Sequence, residues 1–213
     1  MKLSVSGALV AALLGSTLAA QAEPFFNRIA SFPVALNLPA DMDAKTETSS
    51  EIITATEDGQ MLIYSDSPLG AIGMIDLADP ANPKPFGIVK IDGEPTSVTA
   101  LKGKVFAGIN TSKSYTEPSG VLAVIDIASK TIEASCDLGG QPDSVALSPS
   151  GDLLAVAIEN ERDEELNDGE LPQLPAGYLT LFKVKDGVPD CASRMDVAMT
   201  GLAAIAPEDP EPE

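Results

Sequence analysis

The chain has 213 residues, with 13 Lys and Arg against 32 Asp and Glu, a formal net charge of −19, and neither His nor Trp. So negative a surface repels nucleic acid and anionic lipid. The lack of His removes His–Ser and His–Cys nucleophile pairs and any His-ligated zinc or haem, while carboxylate chemistry stays open.

Lys2 precedes a small, apolar run from Val5 to Leu14, and "AQA" follows at Ala20 to Ala22. A basic start, a brief apolar stretch and an A-x-A site predict a secretory signal peptide over 1–22, cut after Ala22. A core helix is the competing assignment, and the N-terminal position and cleavage site decide against it. The run is too short to span a bilayer. Cleavage leaves twelve Lys and Arg against the same 32 acids, a net charge of −20, since Lys2 is the only charge removed. A secreted or periplasmic protein is expected, without a membrane segment after cleavage and without a nucleic-acid partner.

Residues 23–49 contain one expected strand, "RIASFPVAL", which would close a ring. A repeat follows. "SEIITATEDGQMLIYSDS", "PTSVTALKGKVFAGINTS" and "PDSVALSPSGDLLAVAIEN" each read as strand, Gly-bearing turn and strand, with turn glycines Gly59, Gly103 and Gly151 spaced 44 and 48 residues apart. Glycine supplies the positive φ of a tight hairpin. Each hairpin leads into an apolar strand: Ala71–Leu77, Val121–Ile127 and Tyr178–Val184. Strands apolar on both faces belong inside a buried sheet. A more polar fourth strand follows in each copy ("FGIVKID", "TIEASCDL", "SRMDVAM"), as suits an exposed edge. Asp76 and Asp126 end equivalent apolar strands and read as turn caps.

Four short strands repeated at this period predict an all-β partial β-propeller, about three four-stranded blades over 50–92, 93–139 and 140–199. A single blade cannot bury its two apolar faces alone, and stacking buries both. A β-sandwich is the alternative. The acidic, Pro-rich stretch 200–213 has little to bury.

Eleven residues of the third copy carry a resemblance: Gly140, Pro142, Val145, Ala146, Ser148, Pro149, Gly151, Leu154, Val156, Ala157 and Asn160. They follow the G-x-x-P, V-A, S-P-D-G, L-Y-V-A-N pattern of the YVTN/lactonase-like seven-bladed propellers, with Gly140 one residue nearer the Pro, Asn160 two residues further on, and Ser150 where that family has Asp. "ENERDEELNDGELPQLPAGYLTLF" further resembles the secreted bacterial choice-of-anchor I propellers, some of which are labelled alkaline-phosphatase-like or esterase-like phytase proteins. The resemblance implies a seven-bladed ring of which this chain is the N-terminal portion. Its partners would then be the missing blades, or a second copy through the open blade edge.

Cys136 and Cys191 either pair, as an oxidising compartment permits, or stand as separate thiols. A Cys₂ metal site would lack its other ligands.

The loop after the third hairpin is the main candidate site. Residues Glu159 to Glu170 hold seven carboxylates and one Arg. Equivalent loops of a propeller emerge on one face, where insertions build binding surfaces. Glu159, Asn160, Glu161, Asp163, Glu165, Asn167, Asp168 and Glu170 offer the oxygen ligands that Ca²⁺ takes. The EF-hand pattern does not fit, because starting it at Asp163 puts Asp168 where Gly belongs. The competing assignment is a solvated acidic loop.

Two functions follow. One is an exported binding or scaffold module, with Ca²⁺ as its expected ligand ion. The other, implied by the family labels, is a metal-dependent phosphoesterase. Against the second, Lys102, Lys104, Lys113, Lys130, Lys183 and Lys185 lie on separate strands and turns and form no phosphate cradle. The catalytic residues are unknown.

Overall fold

The computed structural model describes residues 27–170 and 173–199. The expected signal peptide 1–22 and the tail 200–213 lie outside the described residues. Strands β1 (Ile53–Ala55), β2 (Met61–Asp66), β3 (Ala71–Asp76) and β4 (Lys84–Lys90) form one antiparallel sheet in that order. A second sheet repeats the order with β5 (Glu94–Leu101), β6 (Lys104–Asn110), β7 (Gly120–Asp126) and β8 (Thr131–Asp137). The third begins likewise with β9 (Pro142–Leu147), β10 (Leu153–Ile158) and β11 (Tyr178–Lys185), then departs at its edge. Gly59, Gly103 and Gly151 sit in the first turn of each sheet at φ +68°, +74° and +70°, the left-handed region that such turns demand.

The two inner strands of the middle sheet have no solvent face. In β6, Val105, Ala107 and Ile109 join Ile63, Ile72 and Met74 of the first sheet in one apolar layer. Phe106, one residue out of step, joins Leu154, Val156 and Phe182 of the third sheet in another. Strand β7 does the same, with Ala123 and Ile125 in the first layer and Leu122 and Val124 in the second. A strand's period of two sends neighbours to opposite faces, so a sheet between two others needs both parities apolar. A sandwich buries one face of each sheet. Three stacked sheets with a doubly buried middle exclude it, and the fold is an all-β partial propeller. The first strands of neighbouring sheets touch, while the fourth strands form a solvated rim: in β8 only Cys136 is buried.

The N-terminal segment differs from expectation. Residues 28–36 form no strand; Pro33 leads instead into a 3₁₀ turn over Val34–Asn37. The physical reason lies in the first sheet, where the β3–β4 register shifts between Met74 and Ile75. Such an irregularity leaves ladder groups unpaired. The buried Asn37 side chain supplies the partners: its Nδ2 donates to Met74 O at 2.9 Å and to Tyr64 Oη at 3.0 Å, and its Oδ1 accepts from Gly87 N at 3.1 Å. Tyr64 lies across Gly73 on β3, where any Cβ would overlap its ring. The segment thus caps the outer face of the first blade rather than lengthening a sheet, as terminal caps do in repeat proteins.

The third blade also departs from its expected fourth strand. The outer edge of β11 is shared by two short strands, β12 (Val188–Pro189) and β13 (Met195–Ala198). Between them a 3₁₀ turn (Cys191–Ser193) is capped by the Asp190 side chain, which accepts from Ala192 N. This break turns Cys191 toward β8, and a disulfide joins it to Cys136 with Cα atoms 5.3 Å apart. Arg194 adds to the same seam, donating from Nη1 to Asp137 O at 3.1 Å while pairing with Asp196 at 2.8 Å. Tyr178 Oη donates to Leu138 O at 2.7 Å. The far face of the third blade leaves Leu153, Met195 and Val197 exposed.

Asp76 and Asp126 act as turn caps. Asp76 accepts from Ala78 N at 2.8 Å, and Asp126 from Ser129 N at 2.7 Å. Asp126 also pairs with Lys104, which bridges to Glu133. Those contacts hold the Asp126 carboxyl well below the usual carboxylate range, the Lys104 ammonium first.

Candidate functional site

The hairpin turns and the loops between second and third strands lie at opposite ends of the stack. At the turn end, Glu57 Oε2 accepts from Lys102 N at 2.8 Å, and Gly151 rests on the Leu101 side chain. At the other end, the β6–β7 loop (111–119) and the β10–β11 loop (159–177) line a common groove.

The acidic loop is braced, and its braces are not acidic. Asn160, at φ +50°, has its side chain committed on both sides: Oδ1 accepts from Gln141 N at 2.9 Å and Nδ2 donates to Ala176 O at 3.1 Å. Gln141 reaches back through Oε1, which accepts from Glu161 N at 3.0 Å, and through Nε2, which donates to Glu161 Oε2 at 3.3 Å. Deeper in the loop, Gln173 Oε1 accepts from Asp163 N at 2.8 Å and its Nε2 donates to Asp163 O at 2.9 Å. Both glutamine pairings use the amide side chain at both of its ends, the carbonyl oxygen accepting from a backbone N–H while the NH₂ donates to an oxygen of the same residue. Asp163 Oδ1 accepts from Glu165 N at 2.9 Å. Three consecutive left-handed residues, Asn167, Asp168 and Gly169, then reverse the chain.

The eight expected ligands are therefore placed as follows. Asn160 and Asp163 serve the loop's own turns, and Glu161 touches Gln141. Glu159, Glu165, Asn167, Asp168 and Glu170 are exposed. Among the described residues, no three Asp, Glu or Cys side chains come together as a metal-holding group. Sequence reasoning missed Gln141 and Gln173. Gln173 lies inside the insertion and Gln141 stands ahead of β9, far from it in sequence, so only the folded loop shows what each one meets.

Glu159 has a displaced titration. Partial loss of hydration pushes its carboxyl up, and the Asp143 and Glu161 charges push it further. A raised carboxyl pKa means that the charged form is disfavoured in the folded state. The cost is present above the ordinary Glu pKa and absent below it. Glu159→Gln is accordingly expected to raise stability at pH 7 by roughly a few tenths of a kcal/mol, as for an exposed charge. The gain should vanish as the pH falls through the Glu range. Urea midpoints at neutral and acid pH check it.

Among the described residues, no helix is long and apolar enough to cross a membrane. No curated protein sequence matches the chain. Among solved structures, it is similar to hydrazine synthase of Kuenenia stuttgartiensis, with 18% identity over 69% of this chain and 41% of that one, at a TM-score of 0.48. It is also similar to a functionally unknown protein of Desulfotomaculum acetoxidans (17% identity, 70% and 43% covered, TM-score 0.44). A luciferin-regenerating enzyme shows 15% identity, 66% and 46% coverage, and a TM-score of 0.45. The chain spans less than half the length of each. The choice-of-anchor I domain matches residues 51–204, from the first blade through the third, and the chain belongs to that family.

Proposed function

We propose that the chain is an exported, surface-associated binding or scaffold module, the N-terminal portion of a YVTN-like propeller of seven blades. Its ligand face is the end that carries the 111–119 and 159–177 loops. The observation that carries this reading is the bracing of the acidic insertion: a loop that merely solvates charge has no need of Gln141 and Gln173 on its backbone. The exposed far face of the third blade receives an adjoining blade or a second copy. The phosphoesterase alternative gains no support from the lysines, since Lys104 and Lys185 pair with carboxylates and Lys130 lies over Phe86.

Export is tested by fractionating cells and sequencing the N-terminus. A mature chain beginning at Glu23 outside the cytoplasm is the expected result, and an intact Met1 start in the cytoplasm would overturn the proposal. Calcium is the finer part, favoured by the seven carboxylates that residues 159–170 gather on one loop. A rise in Tm on adding millimolar calcium supports it, and an unchanged Tm removes calcium from the account.

A further inference from the structure

The groove between the second and third blades' loops has a composition of its own. It encloses about 260 Å³. Three large apolar side chains line it in exposed positions: Tyr115 at 46%, Leu166 at 46% and Leu174 at 76% relative exposure. They come from two different blades, so folding brings them together without covering them. Isolated surface leucines need no explanation, but apolar groups gathered around one concavity mark an interaction site. Glu161 and Asp163 stand beside them in the lining.

We infer that this groove docks a basic segment of a partner protein, led by an arginine with an aliphatic neighbour. Charge complementarity selects the occupant. Residues 159–170 carry seven carboxylates against Arg162 alone, and Arg162 leans toward Glu164 at 3.8 Å. The facing loop contributes only Lys113 as a cation and adds Glu117. An acidic or neutral segment would meet repulsion or unpaired carboxylates; a basic one is steered in. Arginine suits the groove better than lysine. Its planar guanidinium stacks on a tyrosine ring while its edge reaches carboxylates, and it is more weakly hydrated than an ammonium. Leu166 and Leu174 supply the apolar wall for the neighbouring side chain. The inference rests on the proposed ligand face and names the class of partner that the face takes.

Fluorescence anisotropy on the full chain tests it, with a labelled Gly-Leu-Arg-Leu-Arg-Gly peptide and the same peptide carrying citrulline for arginine. The expected result is saturable binding of the arginine peptide, weakened about tenfold or more by Leu174→Ser, by Tyr115→Ala and by Glu161→Gln, as for truncated contacts at an interface centre. The citrulline peptide should bind at least as much more weakly. Leu174 and Tyr115 are exposed, so these variants should retain the parent circular dichroism and Tm. Absence of saturable binding would overturn the inference. So would binding that Leu174→Ser and Tyr115→Ala leave unchanged, since that is diffuse attraction to an acidic surface. Either failure leaves the export result standing, and a failed export experiment leaves the peptide result standing.

Discussion

Phe182→Ala should destabilise the protein by about 3–5 kcal/mol, the range for an aromatic removed from a close-packed core. Phe182 is fully buried on β11. Its layer holds Phe106, Leu122 and Val124 from the second blade and Leu154 and Val156 from its own. The site cannot collapse easily, because both walls are sheets fixed by ladder hydrogen bonds. The cavity should therefore persist, and the cost should sit toward the upper end of the range. Leu153, on the opposite face of the same blade, is 37% exposed. Leu153→Ala should cost less than about 1 kcal/mol, in line with an exposed position. Urea denaturation of the two variants separates them. Equal losses would mean that the third blade does not present one parity to the second.

Replacing both cysteines by serine should lower stability by roughly 4 kcal/mol in the loop-closure picture. The cross-link spans 55 positions of sequence, so its absence frees a long loop in the unfolded chain. The structural consequence should be local. The bond ties β8 to the turn between β12 and β13, and Arg194 and Tyr178 are the other ties along that seam. Amide exchange should accelerate most at Met195–Ala198 and hardly at all in β6 or β7, whose bonds open only with the whole fold. Uniform acceleration across all three blades would contradict a seam-specific role.

These expectations separate what the sequence made legible from what it did not. The three hairpins were legible because local chemistry dictates them: glycine at a positive φ between β-rich runs leaves few alternatives. The doubly apolar strands were legible because a strand's parity is written directly in its residues. The end segments were not. Asn37 finds its partners 27 to 50 residues away, and nothing near "PVALN" announces an irregularity in a sheet not yet formed. The broken edge of the third blade was obscured in the same way, since "SRMDVAM" alternates like a strand and only the preceding turn at Cys191 shortens it. In the candidate site, the acidic residues were visible as composition. Whether carboxylates converge depends on the backbone path that Gln141 and Gln173 hold, which the composition does not encode.

The account stands on the second blade lying between the other two. Methyl and aromatic NOE spectroscopy measures this directly. The Phe106 ring should show cross-peaks to the third blade's Leu154, Val156 or Phe182, while the Ile125 methyls should show them to Ile63, Ile72 or Met74 of the first blade. Cross-peaks from both Phe106 and Ile125 to the same neighbouring sheet would contradict it.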